Sequence, residues 1–312
     1  GAAIGLGADG VGPLSAAELR LVSDADRLPS RALLSLRSAI HDGADPLGDA
    51  FVALRSPATR RPLGATYTPH EIVAAMIRWT AGHIDPDRVV DPGAGSARFA
   101  VAAGRRFPRA HLHAIEIDPL AALCARAHLA AAGLGDRSSV TLQDFRSTTP
   151  LPGVRTLWIG NPPYVRHHQI EPAWKRWLTE QARRRHLRAS QLAGLHVHFF
   201  LATLLQAQPG DIGCYITSAE WMDVNYGDLV RRMLLDGLGG VALHVLEPTT
   251  LPFSDAATTG AISTFAPGAK PTSVRLRRVA KVADLGSLDG GKPVRRERLA
   301  AAPRWSALLR AT

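Results

Sequence analysis

The first 64 residues show helical spacing of apolar positions, interrupted by helix-breaking residues. From Ser15 to Ile40 this spacing predicts two short amphipathic helices that are separated near Pro29. The segment 42–63 contains three prolines and two glycines, so we expect a partly helical connector there. Residues 1–13 are rich in glycine and alanine and are expected to be mobile. We therefore predict a small N-terminal helical region over residues 1–64.

After residue 65 the pattern changes to short apolar runs that alternate with helical segments. Helical periodicity follows the Thr68-Pro69 pair and recurs over 98–107, 119–132, 198–207 and 227–235. Apolar runs typical of buried strands lie at 88–90, 111–117, 139–143, 156–159, 213–217, 241–246 and 261–265. This alternation predicts an α/β fold with a doubly wound, mostly parallel, seven-stranded sheet over residues 65–267. The remaining residues, 268–312, are predicted to form a separate basic segment.

In a doubly wound sheet the ligand lies beyond the carboxyl ends of the strands, so the turns at those ends are the place to look for chemistry. The first such turn runs from Asp91 to Gly95, and its glycines let a ligand approach the backbone. Glu116 ends the second strand, 21 residues after Gly95, where a carboxylate can accept hydrogen bonds from ribose hydroxyls. Although a glycine turn alone could be structural, the pair predicts a nucleoside-bearing cofactor. Arg98 stands where a third glycine would be, which argues against NAD.

Two later turns add polar groups beside rigid or apolar ones. Asp144-Phe145 follows the third strand and could accept from an adenine amino group, although such a residue is more often a strand cap. The turn Asn161-Pro162-Pro163-Tyr164 lacks two backbone N–H donors, so its carbonyl groups are held as acceptors. An amide oxygen and a flat aromatic ring complete it. The combination suits a planar substrate that carries an exocyclic amine.

The chain is basic, and its charge is clustered. Among 312 residues, 37 Lys and Arg stand against 27 Asp and Glu, and 46% hydrophobic residues exclude a disordered or fibrous class. Residues 166–188 carry a net charge of +5 and residues 268–312 one of +8. Such clusters attract polyanions, so nucleic acid is the natural partner, although solvated helix faces are an equal alternative for each run. Two cysteines, no signal-peptide pattern and no membrane-length apolar stretch predict a cytoplasmic setting, with no membrane contact and no metal.

The four turns, in this order, resemble those of the class I S-adenosylmethionine-dependent methyltransferases. More specifically, they are similar to the adenine-N6 DNA methyltransferases of the gamma arrangement, which include Taq-type enzymes and type I modification subunits. The resemblance covers residues 66–265 and implies S-adenosylmethionine as cofactor, with Asn161, Pro162, Pro163 and Tyr164 as the catalytic motif. The residues that it implies for cofactor binding are Thr66, Tyr67, Thr68, Asp91, Gly93, Gly95, Glu116, Ile117, Asp144 and Phe145.

The resemblance also implies how double-stranded DNA would be engaged. The target adenine would leave the duplex and stack on Tyr164 and Phe253, while Asn161 and Pro162 would accept its amine hydrogens. Phe253 could equally be a core aromatic residue at a strand edge. The candidates for contacts to the DNA backbone are Arg166, Arg183, Arg184 and Arg185.

Some features depart from the family pattern and leave alternatives open. His196 and His198 stand where relatives commonly have an acidic and an aromatic residue, so we assign no site to them. Residues 268–312 resemble the opening of a target-recognition domain, so recognition is expected from a further domain or a separate specificity subunit. The expected biological role is restriction-modification or phage defence. The alternatives are an adenine-N6 RNA methyltransferase, a protein-glutamine methyltransferase and a catalytically silent DNA-binding scaffold subunit.

Overall fold

A mainly parallel β-sheet organises the chain. The computed structural model describes residues 1–23, 26–54, 68–149, 153–247, 259–286 and 288–309. Within these residues the strands are β1 (Arg88–Pro92), β2 (His111–Glu116), β3 (Ser138–Leu142), β4 (Thr156–Gly160), β5 (Ile212–Ser218), β6 (Gly240–Leu246), β7 (Gly260–Phe265), β8 (Ser273–Val279) and β9 (Lys292–Arg295). Their order across the sheet is β3-β2-β1-β4-β5-β7-β6-β8-β9.

The topology confirms the predicted doubly wound α/β fold. The pairings from β3 through β5 are parallel, whereas β7 runs antiparallel between β5 and β6. The strand β8 pairs parallel with β6, and β9 pairs antiparallel with β8, so the sheet in the described part of the chain exceeds the expected seven strands by two. The strand order reverses between β1 and β4, and such a switch point is where open α/β sheets bind ligands.

Helices precede the sheet and cover both of its faces. The first five are α1 (Ala2–Gly5), α2 (Ala16–Ser23), α3 (Ser30–His41), α4 (Pro46–Leu54) and α5 (His70–Ala81). The later ones are α6 (Arg98–Arg106), α7 (Pro119–Ala131), α8 (Pro172–Arg184), α9 (Leu195–Gln206), α10 (Asp228–Leu235), α11 (Arg296–Ala301) and α12 (Ser306–Leu309). Helices α2 and α3 are the two predicted from the apolar spacing. Among the described helices, none has the length and apolarity to cross a membrane.

Both faces of the sheet are buried. Val89 and Leu157 pack with α5, α6 and α7, whereas the adjacent residues Val90 and Trp158 pack with α8, α9 and α10. Successive side chains of a strand point to opposite faces, so each short strand supplies both layers of core. This arrangement explains why the strands appear as continuous apolar runs rather than as alternating ones.

The expectation that residues 1–13 are mobile is wrong. Leu6, Ala8 and Val11 are at most 1% exposed, because they pack on or beside α7. The Arg126 guanidinium of α7 donates to the Val11 carbonyl, and its Nε donates to Glu18 Oε1 at 2.7 Å. A small apolar set and one buried ion pair therefore fix the N-terminal segment, and the glycine content hid this from the sequence.

The predicted boundary after residue 267 does not interrupt the structure. Beyond it, β8 and β9 extend the central sheet, and Trp305 is fully buried. The Trp305 indole N–H donates to the Leu299 carbonyl at 3.0 Å, and its ring meets Trp221 edge-on with centroids 6.0 Å apart. The segment from Ser273 to Leu309 thus packs with the central sheet rather than as a separate unit.

Candidate active site

A cavity of about 350 Å³ opens at the carboxyl ends of β1, β2, β3 and β4. This size falls in the range of small-molecule and cofactor sites, roughly 300–1,000 Å³. All four turns singled out in the sequence reach it. The predicted site residues that line the cavity are Thr68, Gly93, Gly95, Glu116, Ile117, Asp144, Phe145, Asn161 and Pro163.

The glycine turn between β1 and α6 brings the backbone to the edge of the cavity. Gly93 has a φ of +69° and Gly95 a φ of +57°, in the left-handed region that favours glycine. A Cβ at Gly93 would lie 3.2 Å from Pro163 Cδ, so the first and fourth turns are in close contact. Among the residues that the structure describes, none comes within 4 Å of a Cβ placed at Gly95, because that position faces the open cavity.

Glu116 is fixed by the backbone around it. Its Oε2 accepts from the Gly95 N–H at 2.7 Å, and its Oε1 accepts from the N–H groups of Ile117 at 2.8 Å and Asp118 at 2.9 Å. Burial raises the pKa of Glu116, although these three donors act in the opposite sense. Oε2 accepts only one of these hydrogen bonds and keeps lone-pair capacity, so the group can accept from a ligand hydroxyl at a set position.

Asp91 lies behind the glycine turn rather than in the cavity wall. It is 1% exposed, and its Oδ2 accepts from the Ala100 N–H of α6 at 3.0 Å. Burial raises the pKa of Asp91 well above its usual range. A Cβ at Gly160 would lie 2.9 Å from Asp91 Oδ1, so the residue also meets the strand that leads into the fourth turn. Its geometry is that of a support for both turns.

The third turn forms a composite wall with α8. Arg146 donates through Nε to Asp144 Oδ1 at 2.9 Å and through Nη2 to Oδ2 at 2.6 Å. The same guanidinium stacks on the Trp174 ring of α8, with Cζ 3.9 Å from the ring centroid. Phe145 is buried and Ile117 is 57% exposed, and both line the cavity. The exposed isoleucine side chain gives the cavity an apolar surface for a flat ring.

The fourth turn holds the side chain with the most specific chemistry. Asn161 Nδ2 donates to Thr68 Oγ1 at 3.0 Å, which fixes the plane of the amide group. Pro163 lines the cavity, whereas Pro162 is buried and does not. The Tyr164 hydroxyl is buried without a hydrogen-bond partner among the described residues, and burial raises its pKa. The ring of Tyr164 itself is partly exposed.

Two residues of the N-terminal region reach this site, and sequence reasoning missed both. Phe51 of α4 lines the cavity. Asp45 accepts from Ser96 Oγ at 2.5 Å and from the Gly48 N–H at 2.9 Å. Burial alone would raise the pKa of Asp45, but His128, Ser96 and Arg98 together hold it below its usual value. The order Asp45-Pro46 is a helix N-cap pattern that the sequence shows. The contact of Asp45 with the residues after the glycine turn cannot be read from the sequence.

The remaining predicted residues lie away from the cavity or outside the described residues. Arg166 is exposed on the segment after the fourth turn, and Arg183, Arg184 and Arg185 are exposed at the end of α8. Arg184 Nη2 pairs with Glu180 Oε1 at 2.5 Å. The candidates Thr66, Tyr67 and Phe253 lie outside the residues that the structure describes.

Comparisons with known proteins identify relatives of this chain. Residues 157–238 match the family model of the Eco57I restriction-modification methylase. The chain is 48% identical over 300 residues to the Type II methyltransferase M.XamI of Xanthomonas campestris pv. amaranthicola. That alignment covers 96% of this chain and 54% of M.XamI. A stretch of 96 residues is 38% identical to a tRNA1(Val) (adenine(37)-N6)-methyltransferase of Porphyromonas gingivalis, covering 30% of this chain and 37% of that relative.

The solved structures extend the comparison to the fold. A Listeria monocytogenes protein described as a class I S-adenosylmethionine-dependent methyltransferase superposes with a TM-score of 0.62 at 14% identity. The match covers 81% of this chain and 80% of that one. The chain spans about half the length of M.XamI, so the curated relative has further sequence. The resemblance drawn from the four turns is therefore confirmed: this chain is homologous to restriction-modification methyltransferases and has the class I methyltransferase fold.

Proposed function

We propose that this chain carries the catalytic region of a DNA methyltransferase that moves a methyl group from S-adenosylmethionine to adenine N6, as part of a restriction-modification or phage-defence system. The observation that supports it best is the shared cavity of two turns. Glu116 and Asn161 both line this cavity. A carboxylate suited to the ribose of a cofactor and an amide suited to the amine of a substrate therefore border the same space. Homology to M.XamI over 96% of this chain adds to that support.

The residues of the cavity fit S-adenosylmethionine. The fixed Glu116 carboxyl group suits the ribose hydroxyls, and exposed Ile117 with Phe145 suits the adenine ring. Asp144 Oδ1 accepts two hydrogen bonds from Arg146 and Oδ2 accepts one, which leaves Oδ2 able to accept from an adenine amino group. The open space beside Gly95 admits a ligand close to the backbone. Asp91 would contribute indirectly, by supporting the glycine turn from behind.

The chemistry proposed for the fourth turn is positioning. The lone pair of adenine N6 is delocalised into the ring, and Asn161 Oδ1 with the Pro162 carbonyl would accept the two amine hydrogens and localise it. Bound S-adenosylmethionine would supply an electrophilic methyl group, and the electrons of its C–S bond would stay on sulfur. The N6 lone pair forms the new N–C bond, and the surplus N6 proton passes to water. Each side chain thus orients the substrate without gaining or losing a proton.

The DNA would be held around this site by charge and stacking. The target adenine would leave the duplex, at a cost of a few kcal/mol, and stack on Tyr164 and Phe253. Phosphates would meet Arg166 and the three arginines at the end of α8, which belong to the segment of net charge +5. Sequence recognition would come from a further domain or a specificity subunit.

One observation favours a second candidate substrate. The relative from Porphyromonas gingivalis is named for adenine N6 in a tRNA, and it shares 38% identity over 96 residues with this chain. The fourth turn would serve adenine in RNA as well as in DNA, because the amine is the same. The surrounding basic surface does not distinguish the two polymers.

Labelled methyl transfer decides between these substrates. The protein is incubated with labelled S-adenosylmethionine and amplified, methylation-free genomic DNA, with RNA of matching sequence or with a glutamine-containing peptide in parallel. Label in N6-methyladenine from DNA supports the proposal. Label found only in RNA, or only in the peptide, would show that this polymer, and not DNA, is the substrate. Absence of cofactor binding by calorimetry contradicts the methyltransferase proposal and favours the scaffold alternative.

A further inference from the structure

We infer that Thr68 and Arg98 are positioning residues for the catalytic amide, and that Asp45 extends their hydrogen-bonded chain into the N-terminal helical region. The chain runs from Asp45 through Arg98 and Thr68 to Asn161, and each link is a hydrogen bond. The inference rests on the proposed function and assigns a role to the N-terminal region in the same site.

The first link sets the amide group. Thr68 is 3% exposed, and its Oγ1 accepts from Asn161 Nδ2 at 3.0 Å. The nitrogen and the oxygen of an amide lie in one plane on opposite sides of the carbon that carries them, so a hydrogen bond that fixes the nitrogen also fixes the direction of the oxygen. Thr68 therefore does more than line the cofactor cavity, since its hydroxyl sets the orientation of the acceptor that the proposed reaction needs.

The second link holds Thr68 itself. Arg98 Nη1 donates to the Thr68 carbonyl at 2.8 Å, and Arg98 Nη2 donates to Asp49 Oδ1 at 3.2 Å. Arg98 is the first residue of α6, directly after the glycine turn, and Ala97 before it has a φ of +63°. A planar guanidinium with several donors in fixed directions can join these groups, which a lysine ammonium cannot do in the same geometry.

The third link reaches the N-terminal region. Asp45 is 5% exposed, and its Oδ2 accepts from Arg98 Nε at 3.2 Å as well as from Ser96 Oγ at 2.5 Å. The Gly48 N–H donates to its Oδ1 at 2.9 Å, so the start of α4 holds the carboxylate in place. The position of the Thr68 carbonyl thus depends on a residue 23 positions earlier, in a region with no evident task from its sequence.

Asparagine-selective labelling tests the first link directly, because the chain contains only two asparagines, Asn161 and Asn225. We label the side-chain amides with 15N and assign the Asn161 pair through its loss in N161D. Slow hydrogen exchange of one Asn161 amide proton is expected in the wild type and in Thr68→Ser. In Thr68→Val that protection is expected to disappear, while the Asn225 signals stay unchanged. Equal protection in Thr68→Val would overturn the inference.

The catalytic consequence is measured in single-turnover methyl transfer with saturating cofactor and DNA. Thr68→Val is expected to transfer at least about tenfold more slowly, because small displacements of a positioning group are costly. Thr68→Ser recovers the rate, and calorimetric cofactor affinity changes by less than the rate does. The matched control is Thr80→Val, which removes another buried hydroxyl, bonded to the Ile77 carbonyl, and keeps the wild-type rate.

The outer links need a separate variant. Asp45→Asn retains the shape of the side chain but removes its charge, and we expect weaker amide protection and slower transfer at unchanged fold, checked by circular dichroism. Wild-type protection and rate in Asp45→Asn would overturn the part of the inference that concerns the N-terminal region. Absence of transfer by the wild-type protein on every polymer would contradict the proposed function, and the exchange measurement would still test the hydrogen bond.

Discussion

Replacing Gly95 by alanine separates backbone strain from loss of cofactor space. Gly95 has a φ of +57°, and a Cβ there meets no atom of the described residues within 4 Å. The position lines the cavity, and its N–H donates to Glu116 Oε2 at 2.7 Å. The added methyl group therefore enters only the space that the cofactor is proposed to fill.

The expected magnitude has two parts. An L-residue in the left-handed region costs about 1–2 kcal/mol, which lowers the unfolding temperature of a chain this size by about 2 °C per kcal/mol. Crowding of a packed ligand by one methyl group costs about 1–3 kcal/mol, which corresponds to an increase of about 5-fold to about 140-fold in the dissociation constant of the cofactor. The first part is a property of the backbone, and the second exists only if a ligand packs at that place.

Gly133→Ala is the matched control. Gly133 has a φ of +71°, and a Cβ there also lies more than 4 Å from every other residue in the described part of the chain. The residue does not line the cavity. Both variants are expected to lose similar thermal stability in a scan of the unliganded protein. Calorimetric titration with S-adenosylmethionine should show weaker binding for Gly95→Ala alone. Equal affinities for the two variants would refute the placement of the cofactor beside the glycine turn.

Three further predictions concern stability. Burial lowers the pKa of His196 to about 4 and of His198 to about 3, so the unfolded chain binds more protons below about pH 6.5. The free energy of unfolding should then fall between pH 6.5 and pH 4, less steeply in His196→Leu, and a flat urea-denaturation profile would contradict this. Arg126→Met leaves Glu18 buried without its ion-pair partner and should cost about 3–5 kcal/mol in urea unfolding. Adding Glu18→Leu should recover part of that loss. If the losses in unfolding free energy of the two single variants simply add in the double variant, the ion pair does not stabilise the fold. Trp305→Ala should cost about 3–5 kcal/mol if the segment after residue 267 belongs to the core, whereas a neutral effect would restore the predicted boundary.

Most of the fold and the order of the four turns could be predicted because their determinants are local. The short apolar runs between helical segments mark buried parallel strands, and the residues at strand ends follow from those runs. Glu116 and Gly95, placed together by their spacing in the sequence, are indeed joined by a hydrogen bond of 2.7 Å. Such pairs can be predicted because parallel strands bring their carboxyl ends to one edge of the sheet.

The features that escaped prediction depend on contacts between distant segments. Asp45 gains its role from contacts with Ser96 and Arg98, more than 50 positions later, and no local sequence pattern indicates those contacts. In β8, buried Val274 and Leu276 alternate with arginines, but the density of positive charge suggested a nucleic-acid surface instead of a strand. Charge clustering thus hid a strand pattern in the C-terminal segment.

We propose that the turn at Asn161 performs methyl transfer with a cofactor bound in the adjoining cavity. The most direct measurement compares wild type and Asn161→Ala in single-turnover transfer to adenine in methylation-free duplex DNA, with calorimetric binding of S-adenosylmethionine to the same samples. The account predicts cofactor affinity within about threefold of wild type and transfer to N6 reduced by about a hundredfold or more. Transfer at the wild-type rate in Asn161→Ala would contradict it, because the reaction would then not depend on the amide that the structure holds at the cavity.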